Sequence, residues 1–305
     1  MKIFVSGVSG YVGGGIARHL AARGHTVLGG IRRPAKLPEG VQPFLTGDLA
    51  DHIPDLTGLD AVVHAAGLAH TRNPPPGAWN RNNLLAAENL AKAALAAGVR
   101  RFVLISSIGV LGRAVEGIAS ETTPSAPADD YARSKLTAEA SLRALLGERL
   151  CVLRPAAIIG PGCPGNIPLL LKLLRRRVPL PFASIHNARS FIALDDLARL
   201  MELVLLAKSP PPLVLAAHPV PISTPELIRA LAEGMGVAPN LFPFPPALLA
   251  LASRAAGREA MWQSMAGSFA VAPRAALALG WKPAESLAET LRATSRYYVT
   301  TSKTP

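Results

Sequence analysis

The sequence is poor in sulfur, aromatic rings and acid. Its only cysteines are Cys151 and Cys163. Two thiols cannot build a disulfide framework or a four-thiolate metal site, so a reducing compartment is the natural setting and no metal is expected. Aromatic residues make up 5% of the 305 residues. No apolar run reaches the length of a membrane span without a charge or a proline, and the best, Ala247 to Ala252, is far too short. Met1-Lys2-Ile3-Phe4-Val5-Ser6 passes straight into glycines, without the apolar stretch and small-residue cleavage site of a signal peptide. A cytoplasmic protein without membrane insertion is expected. Acidic residues number 20 against 32 basic ones, of which 24 are Arg, for a net charge of +12. That balance points either to a negatively charged partner or to a generally basic surface. The only basic run, Arg175-Arg176-Arg177, has no interleaved aromatics, so nucleic acid is not expected.

The chain has ample material for a core. Half of it is apolar and 17% is charged, which excludes a disordered or fibrous protein. No internal repeat is visible. Short apolar runs at 2–6, 26–31, 42–45, 61–65, 101–106, 150–154 and 213–216 read as strands. Nearly all are continuously apolar, as strands covered on both faces should be. Helical stretches fall between them, at 12–23, 79–97, 131–146, 166–177 and 194–207. Gly24, Gly98 and Gly147 stand where left-handed C-cap residues belong. Strand and helix alternating in this way predict an α/β fold, a Rossmann-type doubly wound parallel sheet. After about Ala217 proline becomes dense, and Thr224-Pro225-Glu226 reads as an N-cap and first helical turn. A smaller, mostly helical lobe is expected there. The expected division is 1–158 with 191–218 as the nucleotide-binding domain, and 159–190 with 219–305 as the substrate-binding lobe.

Ser6-Gly7-Val8-Ser9-Gly10-Tyr11-Val12-Gly13 follows the first strand and opens the first helix. Gly7 permits a tight turn, Gly10 lets backbone approach a pyrophosphate, and Gly13 lets helix and strand pack closely, with the helix N-terminus facing the negative charge. Ser9, Tyr11 and Val12 complete this cofactor turn. The end of the second strand selects the dinucleotide. An acidic residue there would hold the ribose 2′-hydroxyl of NAD; this chain has Gly30-Ile31-Arg32-Arg33 instead. Two guanidiniums suit a 2′-phosphate, so NADP is preferred and NAD remains possible; otherwise Arg32 and Arg33 are solvated loop residues. Asp48, in Gly47-Asp48-Leu49, accepts from the adenine amino group or caps a turn.

Ser106 and Ser107 end the fifth strand, and Tyr131-Ala132-Arg133-Ser134-Lys135 opens a helix further on. Tyr131 and Lys135 stand at i and i+4, on one helical face. A phenol with a pKa of about 10 is a poor acid–base at neutral pH. A neighbouring ammonium and a cationic nicotinamide ring both favour the phenolate. A serine hydroxyl from the sheet can hold a substrate carbonyl beside the phenol.

These pieces, with Gly47-Asp48-Leu49, His64-Ala65-Ala66-Gly67, Asn83, Arg154-Pro155 and Arg189-Ser190-Phe191-Ile192-Ala193-Leu194-Asp195-Asp196-Leu197, resemble an extended short-chain dehydrogenase/reductase of the NAD-dependent epimerase/dehydratase family. The resemblance implies that Ser107 is the catalytic hydroxyl, Tyr131 the acid–base and Lys135 its partner, with Asn83 holding a proton-relay water. It implies that Asp48, Leu49, Ala65, Ala66, Gly67, Ser106 and Pro155 lie along the dinucleotide. It matches Asn166 and Arg189 to residues that bind a nucleoside diphosphate, unless Arg189 merely pairs with Asp195 or Asp196. The family's late phosphate-binding Arg is missing, so Arg258 or Gln263 would substitute. His70 and Arg72 face the sugar or are loop polars. The segment from Pro179 to Ser190 resembles bacterial enzymes of surface-polysaccharide synthesis, the lipopolysaccharide type among them.

The resulting expectation is an enzyme, an oxidoreductase that uses NADPH to reduce a UDP-4-keto-6-deoxy-N-acetylhexosamine. A UDP-sugar 4-epimerase of the UDP-glucose or UDP-N-acetylglucosamine type is the alternative. A non-catalytic NADP-binding sensor or scaffold is the alternative of another class. The resemblance also implies a homodimer through helices 79–97 and 131–146.

Overall fold

A computed structural model of the chain describes residues 1–69, 71 and 74–301. In chain order the strands are β1 (Lys2–Ser6), β2 (Thr26–Ile31), β3 (Val41–Leu45), β4 (Ala61–His64), β5 (Arg101–Ile105), β6 (Ile118–Ala119), β7 (Leu150–Pro155), β8 (Ala157–Ile159), β9 (Phe191–Ala193), β10 (Leu213–Ala216) and β11 (Ala270–Val271). The helices are α1 (Tyr11–Ala22), α2 (Ala86–Ala96), α3 (Asp130–Leu146), α4 (Asn166–Arg175), α5 (Leu194–Leu206), α6 (Thr224–Gly234), α7 (Pro246–Ala255), α8 (Glu259–Ala266), α9 (Arg274–Ala278) and α10 (Leu287–Thr301).

Seven strands form one all-parallel sheet in the order β10-β7-β5-β4-β1-β2-β3. The chain winds from β1 outward through β2 and β3, then returns to β4 on the other side. The β1/β4 boundary is therefore the switch point at which a crevice opens beyond the carboxyl ends of the strands. Both faces are covered. Ile3, Val5, Val63, Val103 and Leu153 pack under α1 and α5 with Ile16, Leu20, Leu197 and Met201. Phe4, Val62, Phe102, Leu104 and Val152 pack under α2 and α3 with Leu90 and Leu142. Each such side chain contributes about 1.5–3 kcal/mol on leaving water. A separate cluster of Leu171, Leu174, Ile228, Leu231 and Leu291 joins α4, α6 and α10 in a helical lobe. Two separate short pairings, β8 with β9 and β6 with β11, stand outside the main sheet.

Element ends differ from the sequence expectation in informative ways. β4 and β5 each stop one residue early, at His64 and Ile105, leaving Ala65 and Ser106 just beyond the strand ends. The stretch from Trp79 does not enter α2 directly; Asn80–Leu85 wind as a π-helical turn that buries Asn83. The N-cap of α6 is Ser223, not Thr224: its hydroxyl and the Glu226 carboxylate form a reciprocal capping box. Gly24, Gly98 and Gly147 all have positive φ, as a left-handed helix exit requires.

Candidate active site

The glycine turn is closed by two of its glycines and left open by the third. A Cβ on Gly7 would lie 2.7 Å from the Ala66 nitrogen, and one on Gly13 only 2.3 Å from the Gly7 oxygen. A Cβ on Gly10 would meet nothing but the Gly7 oxygen, at 3.2 Å. Gly7 also has φ +73°, which favours glycine. Beyond Gly10, α1 begins with no side-chain cap and no acid in its first turn. Its first N–H groups are therefore without helical partners and face the gap, an arrangement that fits a pyrophosphate. Ser9 is exposed and Val12 half-buried at the same turn. The Tyr11 ring leaves the turn altogether: its hydroxyl packs under Gly160, buried without a hydrogen-bond partner among the described residues, and burial raises its pKa.

The strand ends around this turn are pinned by polar contacts. The Ser6 hydroxyl accepts from the Ala66 N–H (3.1 Å) and bonds His64 Nδ1 (2.8 Å). His64 is fully buried, and burial pushes its pKa down to about 3. Ala65, Ala66 and Gly67 thus lie against Gly7 at the switch point. Arg32 and Arg33 follow β2, both exposed, and no described carboxylate lies within 4 Å of either. Asp48 caps its own turn through the Ala50 N–H (3.0 Å) and pairs with Arg81 (3.1 Å). Leu49 is a core residue.

Helix α3 carries the acid–base pair because the Asp129 side chain caps it, accepting from the Ala132 N–H at 2.8 Å. That fixes Tyr131 in the first turn and Lys135 one turn on. The Ser107 hydroxyl accepts from the Gly109 N–H (3.0 Å) and lies near enough to the Tyr131 phenol to favour its phenolate. Lys135 Nζ donates to the Ile105 carbonyl at 2.8 Å. The chemistry differs from expectation in one respect. Burial pushes the Tyr131 phenol up to about 12, only partly opposed by Ser107, and pushes Lys135 down to about 8. Desolvation outweighs the ammonium's influence because Lys135 is turned to the sheet backbone.

Three residues at this site escaped the sequence reading. Glu139, one turn beyond Lys135, is buried, grips Arg154 in a bidentate pair (3.0 and 2.6 Å) and accepts from the Ser106 hydroxyl. Its i+4 spacing after Lys135 was a readable signal. Ser106 is thereby committed to the core. Ser134 accepts from Asn83 Nδ2 (2.8 Å), while Asn83 Oδ1 accepts from the Leu68 N–H (2.7 Å). Both ends of the Asn83 amide hold protein, so it ties the loop after β4 to α3. The third, Trp79, stacks at 5.8 Å from the Tyr131 ring, a contact that no local pattern announces.

On the lobe side, Arg189 Nη1 donates to the Gly267 carbonyl at 3.0 Å. The hinge ion pair does not form: Asp195 lies beside Arg18 and Asp196 pairs with Arg199. No described carboxylate lies within 4 Å of Arg189, whose guanidinium is largely desolvated. The Ser107 turn reaches the same place, since the Val115 N–H donates to the Ser268 carbonyl (3.4 Å). Asn166 is exposed in the first turn of α4, and Arg258 is exposed at the start of α8. Pro155 ends β7, buried. His70 and Arg72 lie outside the described residues. Among the described residues no three His, Cys, Asp or Glu side chains gather as a metal site, and no helix is long and apolar enough to cross a membrane.

Comparison with known proteins agrees with this geometry. The NAD dependent epimerase/dehydratase family profile matches residues 3–215. A UDP-glucose 4-epimerase of Vibrio cholerae is 29% identical over 98% of this chain and 95% of its own length. A dTDP-6-deoxy-L-talose 4-dehydrogenase (NAD(P)(+)) of Kitasatospora kifunensis is 29% identical over 95% and 93%. Among solved structures, MoeE5 in complex with UDP-glucuronic acid and NAD superposes with a TM-score of 0.79 at 23% identity, covering 99% of this chain and 100% of that one.

Proposed function

The chain belongs to the NAD-dependent epimerase/dehydratase family, and on that premise we propose that it is an NADPH-dependent reductase of a nucleotide-linked 4-keto sugar. The substrate class is a UDP-4-keto-6-deoxy-N-acetylhexosamine of surface-polysaccharide synthesis. The observation that carries the choice of reductase is the end of β2, where Arg32 and Arg33 stand exposed and free of described carboxylates in the place an NAD-binding acid would take. The glycine turn and the backbone of Ala65, Ala66 and Gly67 would hold the dinucleotide. Arg189 and Asn166 would hold the diphosphate of the sugar nucleotide; a desolvated guanidinium facing only a carbonyl suits a dianion.

The dinucleotide, when bound, supplies a hydride to the carbonyl carbon. Ser107 holds the carbonyl oxygen by its hydroxyl hydrogen, and Tyr131 gives its phenolic proton to that oxygen as charge develops there. A phenol with its pKa pushed up to about 12 is protonated across neutral pH, the state a reduction starts from. Lys135 stands one turn further along the same helix, its ammonium held by the Ile105 carbonyl.

A second reading, a UDP-sugar 4-epimerase, is favoured by the Vibrio cholerae relative, which matches along nearly the whole chain. It uses the same residues, with Tyr131 first taking and later returning the proton. The test offers purified protein a UDP-4-keto-6-deoxy-N-acetylhexosamine with NADPH and, separately, UDP-glucose and UDP-N-acetylglucosamine with NAD. Stoichiometric loss of NADPH with a reduced sugar is expected. Interconversion of C4 epimers without net change of cofactor would replace the reductase by the epimerase.

A further inference from the structure

Helix α7 turns an apolar stripe toward solvent. Leu248 and Leu251 are 53% and 64% exposed, and Ala252 and Ala255, on the same stripe, are exposed as well. No residue of α7 is buried. The segment before it adds Phe242 and Phe244, each 37% exposed, and α8 adds Met261 at 44%. Single exposed leucines are ordinary; an unbroken apolar helix face beside two aromatic rings is not.

The charge around this face is mainly basic, with Glu259 at the start of α8 paired to Arg254 of α7 (3.2 Å). From Val237 to Arg258 the chain has no acidic residue, and from Ile159 to Ser190 it has Lys172, Arg175, Arg176, Arg177 and Arg189 with no acid. These two stretches are joined. The Leu180 N–H donates to the Asn240 carbonyl (2.8 Å) and the Phe242 N–H to the Leu180 carbonyl (3.1 Å). Arg175, Arg176 and Arg177 are all exposed, and Arg177 is three residues from that pairing, within about 10 Å by chain reach. A basic run and an apolar face thus meet at Phe242.

We propose that α7, the Phe242–Phe244 segment and Arg175-Arg176-Arg177 dock the protein on an anionic phospholipid bilayer. Interfacial helices bury an apolar face at the boundary of headgroups and acyl chains while nearby cations meet lipid phosphates. Ten residues of helix span about 15 Å, half a hydrocarbon core, so α7 lies in the interface rather than crossing it. Charge also argues against a second copy of the chain as the occupant. A two-fold contact here would bring two basic runs into one interface, and the acid beside α7, Glu259, is already paired with Arg254. Docking would carry the crevice with it. A cavity of about 370 Å³ between α7 and α8, lined by Ala247, Ala250, Trp262 and Gln263, reaches Gly267, whose carbonyl holds Arg189.

The test is co-sedimentation of the full chain with vesicles of phosphatidylglycerol and phosphatidylcholine, and with vesicles of phosphatidylcholine alone, at low and high salt. Binding to the anionic vesicles at low salt is expected, at least tenfold weaker on neutral ones and weaker in high salt. Leu248→Glu with Leu251→Glu should abolish it while circular dichroism and elution volume stay unchanged. Replacing all three arginines of the run by Ala should remove most of the salt dependence. No sedimentation with either vesicle, or equal binding to both, overturns the proposal. So does a double variant that splits a dimer and leaves lipid binding intact, which would assign the face to a second copy.

Discussion

Arg154 is buried in the sheet half and Arg189 half-buried in the lobe, and they are answered differently. Arg154 meets the buried Glu139 carboxylate in a bidentate pair, with Ser106 and Ser125 completing the network. Arg189 meets only a backbone carbonyl. A desolvated cation needs a counter-charge. Where the protein supplies it, the arginine is part of the frame that holds β5 and β7 to the catalytic helix. Where it does not, the guanidinium stands without a described carboxylate, open to the anion proposed for the crevice. The contrast separates a structural charge from a functional one without reference to residue type.

The largest effect should come from the group that both halves serve. Tyr131→Phe keeps the ring against Trp79 and removes the proton. Turnover should fall about 10²–10⁴-fold with dinucleotide binding intact; a fully active variant would remove Tyr131 from the reaction. Next is Arg154→Met, which strands the Glu139 charge. It should cost about 3–5 kcal/mol of stability by urea denaturation, and adding Glu139→Gln should recover much of the loss.

Arg189→Met tests the opposite pole. Stability should be unchanged or raised, because no described carboxylate is stranded. The sugar-nucleotide KM should rise by the equivalent of about 1.5–3 kcal/mol for a lost charged hydrogen bond. If the two arginine variants behave alike, the contrast fails. The smallest effect per step is a pH slope. His64 is held neutral, its pKa about 3 against an ordinary value near 6.5. Unfolding at low pH therefore takes up a proton. Stability should be full above about pH 6.5 and fall by up to about 1.4 kcal/mol per pH unit toward pH 3. His64→Gln should flatten that slope in denaturation curves taken across pH.

Much of this was legible in one dimension. Continuous apolar runs separated by helical periods specify a covered parallel sheet, because only strands buried on both faces lack alternation. The spacing of Gly7, Gly10 and Gly13 told where the turn must be tight, and the spacing of Tyr131 and Lys135 told that they share one helix. The β8–β9 and β6–β11 pairings, and helices α7 to α10, were not legible. The first are two or three residues long, and α7 to α9 are short helices without side-chain N-caps.

By itself, then, the sequence determined the sheet, the glycine turn after β1 and the placing of Tyr131 and Lys135 one turn apart on α3. Each depends on residues close in the chain, where steric and periodic rules act locally. Only the tertiary structure decided the state of those groups. Whether Asp48 caps a turn, whether Asn83 is free, whether Arg189 has a carboxylate and which way burial moves the Tyr131 proton all depend on what distant segments bring near, and on how much water they leave.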